Sequence, residues 1–496
     1  MSPDAVIVGT GPNGLAAGVT LARAGLSVAL YEARDTIGGG LRTEALFDSD
    51  IPHDICAAVH PMALASPFFR EFELTQRGVQ MLHSPASYAH PLPHGAAGIA
   101  YRDLDATCAG LGIDGPRWRS LMQPLLDHSD GIVSLLLSGH RALLRDPIAP
   151  LLLARDVLGH GTRLSAARFA TQQARALLTG VAAHAVGRLP SLASAAVAML
   201  LGHLAHGSGW PVVGGGSARI ADALAAEITA RGGTFHTGHL VSDLAELPRT
   251  TAVLLDVSPK TLARITAGRL PTAYERALTR YRYGPGAAKA DFLVTEPIPW
   301  ADSTVGQATT VHLGGTQAHM IRTETATAAG ILTDEPFVLV VDPAIADPGR
   351  ARPDKRPIWA YAHVPNGDTT DPVELISARI EQYAPGFRDT VIASRGIPAA
   401  AYETYNPNYV GGDIGTGAMT IRQSLLRPAP RLNPYRVPIP GVYLSSAATP
   451  PGPGVHGMSG YYAACAALRR EFGIPVPPPL GPEPPTADRS RSRRLL

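Results

Sequence analysis

The sequence predicts an α/β fold built on a parallel sheet, and three stretches carry that prediction. Residues 4–35, DAVIVGTGPNGLAAGVTLARAGLSVALYEARD, pass from a short apolar strand through glycines into a small-residue helix and on to a second strand over 27–32; this is the order of a βαβ unit. Strand-like patterning returns in TFHTGHLVSDL (234–244) and TAVLLDVS (251–258). A final strand-glycine-helix unit spans GVYLSSAATPPGPGVHGMSGYYAACAALRREFG (441–473).

The first turn has the chemistry of a diphosphate cradle. Gly9-Thr10-Gly11-Pro12-Asn13-Gly14 fits GxGxxG: the first glycine permits the tight turn, the second admits a pyrophosphate close to backbone, and the third lets helix and strand pack. The helix that opens there aims unpaired N–H groups and its positive dipole end at the phosphates. Glu32 closes the next strand, where a carboxylate accepts hydrogen bonds from ribose hydroxyls and repels a 2′-phosphate. NADP is thereby disfavoured. Residues 33–44, ARDTIGGGLRTE, add a second glycine cluster that a plain NAD site does not need. It would carry Ala33, Arg34, Gly39, Gly40, Leu41 and Arg42 past the pyrophosphate towards a flavin ring, which favours FAD.

Composition bounds the rest. The 496 residues are 45% hydrophobic and 17% charged, enough for a large buried core. A net charge of +2 makes no case for nucleic acid. Cys56, Cys108 and Cys465 form no close pair, which argues against a disulfide scaffold, a zinc ribbon or a dithiol active site and for a reducing compartment. Met1-Ser2-Pro3-Asp4 lacks a basic leader, so no secretory signal is expected. The uncharged run 189–218 contains Pro190, His203 and His206 and reads as a buried helix rather than a membrane span.

Residues 60–210 carry Leu and Ala at helical spacing, as in 131–144 and 169–186, and are expected to be largely helical. GWPVVGGGSARIADALAAEITARGG (209–233) reads as turn, amphipathic helix and Gly-Gly stop. KADFLV (289–294) and PFVLVVDP (336–343) read as strands, with a helix around 373–384. Pro-rich and then basic, residues 475–496 read as a disordered tail.

These motifs resemble the glutathione-reductase-type FAD fold and, within it, the phytoene desaturase and carotenoid isomerase superfamily. The resemblance falls in the branch of desaturase-like carotenoid ketolases and the pyridine nucleotide-disulphide oxidoreductase domain-containing protein 2 group. It extends to TVHLGG (310–315), YAHVPNG (361–367), YNPNYVGGDIGTG (405–417) and TPPGPGVHGMSGYYAA (449–464). It implies a discontinuous FAD-binding, Rossmann-like domain of residues 1–90, 209–284 and 401–474. An α+β substrate domain of 91–208 and 285–400 would sit beside it. It puts the backbone of Val241 at the adenine, and the turn Gly454, Val455 and His456 at the flavin's pyrimidine edge, where a helix N-terminus stabilises negative charge on the reduced ring. Ser446 departs from the glycine common at that point.

Catalytic residues are harder to read, because a flavin accepts hydride at its own ring and needs only positioning and exclusion of water. His60 and His456 are the catalytic candidates; Tyr361, His363, Tyr405 and Asn408 are candidate pocket residues. His203/His206 and His236/His239 lack a third ligand, so no metal is expected. The resemblance implies an FAD-dependent oxidoreductase that dehydrogenates an apolar, unsaturated small molecule. The alternatives are a double-bond isomerase using reduced FAD and a flavin-free escort protein of the same fold. Cytoplasmic location, with peripheral membrane contact, is the expectation; oligomeric state stays open.

Overall fold

The computed structural model describes residues 2–93, 95–138 and 146–482. One sheet has five parallel strands in the order Val442–Leu444, Ala252–Leu255, Ala5–Val8, Val28–Tyr31 and Thr234–His236. Its inner strands read AVIV, VALY and AVLL, the near-continuous apolar runs of a sheet covered on both faces. Three distant stretches of chain thus meet in one sheet.

The helix Pro12–Arg23 packs between Ala218–Ala230 and Met458–Glu471. Small residues set how closely. A Cβ on Gly460 would stand 1.8 Å from the Asn13 carbonyl oxygen, and one on Gly18 would stand 2.8 Å from Ile228 Cδ1.

The second sheet has seven strands, ordered Val391–Ile397, Gly286–Val294, Arg356–Val364, Val338–Val341, Ala308–Leu313, Ala86–Leu92 and Gly95–Tyr101. Its pairings are antiparallel except between Ala308–Leu313 and Ala86–Leu92. Helix Pro372–Tyr383 lies against it. Helices from Leu104 to His206 form a separate apolar cluster around Trp118, Met122 and Met199.

Two expectations need correction. The hairpin 86–101 interrupts the predicted helical stretch, because pairing with Ala308–Leu313 overrides the weak strand propensity of ASYAHPL and GAAGIAY. The predicted disordered tail begins with docked chain. Leu480 is fully buried, its N–H donates to Glu71 Oε1 at 3.0 Å, and the Pro479 carbonyl accepts from Arg23 Nη1 at 2.7 Å. Residues 483–496 of that tail, and 139–144 of the helical reading, lie outside the described residues.

Candidate functional site

A cavity of about 780 Å³ runs from the glycine turn into the helical block, within the ordinary range for small-molecule sites. Every residue singled out for cofactor binding lines it except Gly14, Leu41 and His456. Those three support it from behind. A Cβ on Gly14 would stand 2.1 Å from the Gly9 carbonyl oxygen, and Leu41 is fully buried in the core.

The turn is tight. Gly9 adopts φ +96°, and a Cβ on Gly39, at φ +55°, would stand 2.8 Å from Gly11 Cα. The second glycine cluster therefore packs directly on the first.

Glu32 is more committed than a free strand-end carboxylate. Its Oε2 accepts from the Thr10 N–H at 3.1 Å and the Thr10 hydroxyl at 2.6 Å; its Oε1 accepts from the Arg34 N–H at 3.0 Å and Arg42 Nη2 at 2.9 Å. All four acceptor positions of the carboxylate are taken, so a ribose hydroxyl binds only if one of these donors yields.

Asp256 was not found by sequence reasoning. It ends the strand Ala252–Leu255, beside the first strand, and its Oδ2 accepts from the Gly14 N–H at 2.9 Å. A Cβ on Gly11 would meet the same oxygen at 2.8 Å. Burial, with the Glu32 charge adding to it, raises its carboxyl to about 7 against the pull of the Gly14 N–H. The only sequence signal is an acidic residue at the end of an apolar strand.

His60 is buried at the cavity wall. Ser217 Oγ donates to the Ala57 carbonyl at 2.6 Å and lies 2.8 Å from His60 Nε2. The hydroxyl proton is thus spent, so His60 Nε2 donates and its buried Nδ1, which has no partner, is a bare acceptor. Burial lowers its basicity to about 4 and keeps it neutral.

His456 does not reach the cavity. Its Nδ1 accepts the Met458 N–H at 3.0 Å and its Nε2 lies 3.1 Å from the Gly452 carbonyl. It ties the turn to the helix Met458–Glu471, and burial lowers it too to about 4. Ser446 is similarly local, its hydroxyl accepting from the Ala448 N–H at 3.2 Å.

Val241 is buried at the cavity wall, with neither its N–H nor its carbonyl hydrogen-bonded among the described residues. Tyr361, Tyr405 and Asn408 line the cavity; His363 lies behind it, its Nδ1 2.8 Å from Glu324 Oε2. His203 and His206 are spent within the helical block, on the Met199 carbonyl and Ser129, and on the Tyr101 carbonyl and Trp118. The apolar end is walled by Leu135, Leu136, Leu137, Val197, Leu200, Leu201 and Trp210. Among the described residues no helix is long and apolar enough to cross a membrane.

The parallel sheet, the glycine turn and the cavity beside it define a Rossmann-like fold of the FAD-oxidoreductase type. The NAD(P)-binding Rossmann-like domain family matches residues 7–72. The chain is homologous to pyridine nucleotide-disulfide oxidoreductase domain-containing protein 2 of Mus musculus, with 25% identity covering 94% of this chain and 93% of the mouse protein. Its fold is shared by the cyclohexylamine oxidase of Brevibacterium oxydans IH-35A, with a TM-score of 0.58, 16% identity, 95% of this chain covered and 99% of the oxidase. A putrescine oxidase bound to putrescine shares it as well, with a TM-score of 0.57, 18% identity, 95% of this chain covered and all of the oxidase.

Proposed function

We propose that the protein is an FAD-dependent oxidoreductase acting on an apolar, unsaturated small molecule. The observation that carries this reading is the continuity of the cavity, whose glycine-built end suits a dinucleotide and whose other end is walled by leucines.

The residues fit FAD. Gly9, Gly11, Pro12 and Asn13, with Gly39 and Gly40 against them, would hold the diphosphate; the buried Asn13 Oδ1 has no partner. The free backbone groups of Val241 suit the adenine. Gly454 and Val455 would face the ring, with His456 fixing their turn. Bound FAD supplies an acceptor for two electrons and a proton.

The protein's own work is then positional. The leucine wall excludes water and orients the substrate, and Nδ1 of His60 offers a neutral acceptor at the wall. We assign His60 as the candidate base.

Reconstitution with FAD, followed by an anaerobic screen of apolar substrates for flavin bleaching and product mass, tests the reading. Bleaching by an unsaturated apolar compound with a product two mass units lighter (about 2, the loss of two hydrogens) is expected. A folded preparation that binds no FAD would overturn it.

A further inference from the structure

We infer that His184 recognises an O–H or N–H group on an otherwise apolar ligand, its Nδ1 held bare by a chain of histidines behind it. This deepens the substrate-site reading above and rests on it.

His184 caps the C-terminus of helix Gln172–Ala183 and lines the cavity, edge-on to Trp210 at 5.3 Å. Its Nε2 lies 2.9 Å from Nε2 of His312, on strand Ala308–Leu313. One of these nitrogens donates and the other accepts. Which one does so is settled further along.

His90, on strand Ala86–Leu92, has its Nε2 2.8 Å from the Gly315 carbonyl. A carbonyl only accepts, so neutral His90 carries its proton on Nε2 and its Nδ1 is an acceptor. The Nδ1 atoms of His90 and His312 are both buried without a partner. Both face one point, since a Cβ on Gly180 would stand 2.7 Å from the first and 2.8 Å from the second. With no side chain on Gly180, nothing on that residue separates the two nitrogens.

With His90 presenting only a lone pair there, His312 favours a proton on Nδ1 over a second lone pair facing it. Its Nε2 then accepts, and His184 donates from its own Nε2. The lone pair on His184 Nδ1 is left to the cavity, and that atom has no partner among the described residues.

The assignment requires neutral rings. Burial lowers His90 to about 4 and His184 to about 3, and His312 lies well below its ordinary range. The titratable neighbours act in the same direction: Arg379 on His90, His363 on His184, and His184, His90 and His363 on His312.

A bare acceptor in an apolar wall rejects carboxylates and phosphates and goes unsatisfied against a pure hydrocarbon. An alcohol or an amine satisfies it.

The test needs no flavin, so its failure is distinct from failure to bind FAD. In protein labelled with ¹⁵N-histidine, NMR is expected to find His184 and His90 protonated at Nε2 and His312 at Nδ1. Assignment uses His184→Gln, His312→Gln and His90→Phe. Adding 1-octanol or octylamine is expected to shift the His184 Nδ1 resonance, whichever acts naming the donor, while n-octane leaves it in place. His184→Phe should weaken the active probe about tenfold and spare n-octane. If the variants fail to fold, through-space contacts between the His184 and Trp210 rings, 5.3 Å apart, assign the His184 resonance in the wild type. A proton on His184 Nδ1, or no shift with either donor, overturns the inference.

Discussion

Asp256 and Gly14 are 242 residues apart in sequence, yet a 2.9 Å hydrogen bond joins the carboxylate of one to the backbone N–H of the other. The carboxylate presses on the glycine turn where a diphosphate would sit, and burial has already raised it to about 7. The unfolded chain releases this proton near 3.8. Between those values the native state holds a proton that the unfolded state has lost, so stability falls as pH rises through the window and levels off above it. Asp256→Asn keeps the acceptor for Gly14 and removes the titration. In urea unfolding at about pH 5 and pH 8, its stability relative to wild type should rise by about 3 kcal/mol. An unchanged difference would sink this assignment.

The Arg42–Glu32 ion pair is almost completely buried, with side-chain exposures of 4% and 9%. Removing the guanidinium strands a carboxylate that keeps only the Thr10 and Arg34 donors. Arg42→Met should cost about 3 kcal/mol in urea unfolding, whereas a loss below roughly 1 kcal/mol would mean that water reaches Glu32.

Gly460 leaves no room for a methyl group against the Asn13 carbonyl. Because both atoms near the clash belong to helices packed on the same sheet, neither yields easily. Gly460→Ala should destabilise by about 3 kcal/mol or more, read as a lowered midpoint in thermal unfolding followed by circular dichroism. A variant that melts with the wild type would show that the two helices can separate.

The three thiols should be inert in the native protein. Burial pushes Cys56 up to about 12 and Cys465 to about 11, and raises Cys108 as well. Little thiolate forms at neutral pH. Titration with Ellman's reagent at about pH 8 should be slow in buffer and should release all three cysteines in urea. Fast native reaction of any one contradicts its placement.

How much of this was legible beforehand depends on how local each feature is. Gly9, Gly11 and Gly14 announce themselves because the turn and the helix that need them are adjacent in the chain. The cradle's other wall does not: Asp256 matters through the neighbouring parallel strand, and nothing near residue 256 marks it as a partner of Gly14. The hairpin 86–101 was missed for a related reason, since its alanine- and glycine-rich strands are held by residues more than two hundred positions away. His184, His312 and His90 come from three separate elements and have no spacing in common. His456 shows the opposite case: the motif drew attention to it, but both ring nitrogens are spent on its own turn.

The five-stranded sheet has a consequence for synthesis. Its edge strand Val442–Leu444 pairs with Ala252–Leu255, which in turn pairs with Ala5–Val8. A ribosome must therefore deliver the chain through Leu255 before the first strand has both its neighbours, and through Leu444 before the sheet is complete. Until then the sheet lacks its last strand, and such long-range closure is slow and prone to aggregation.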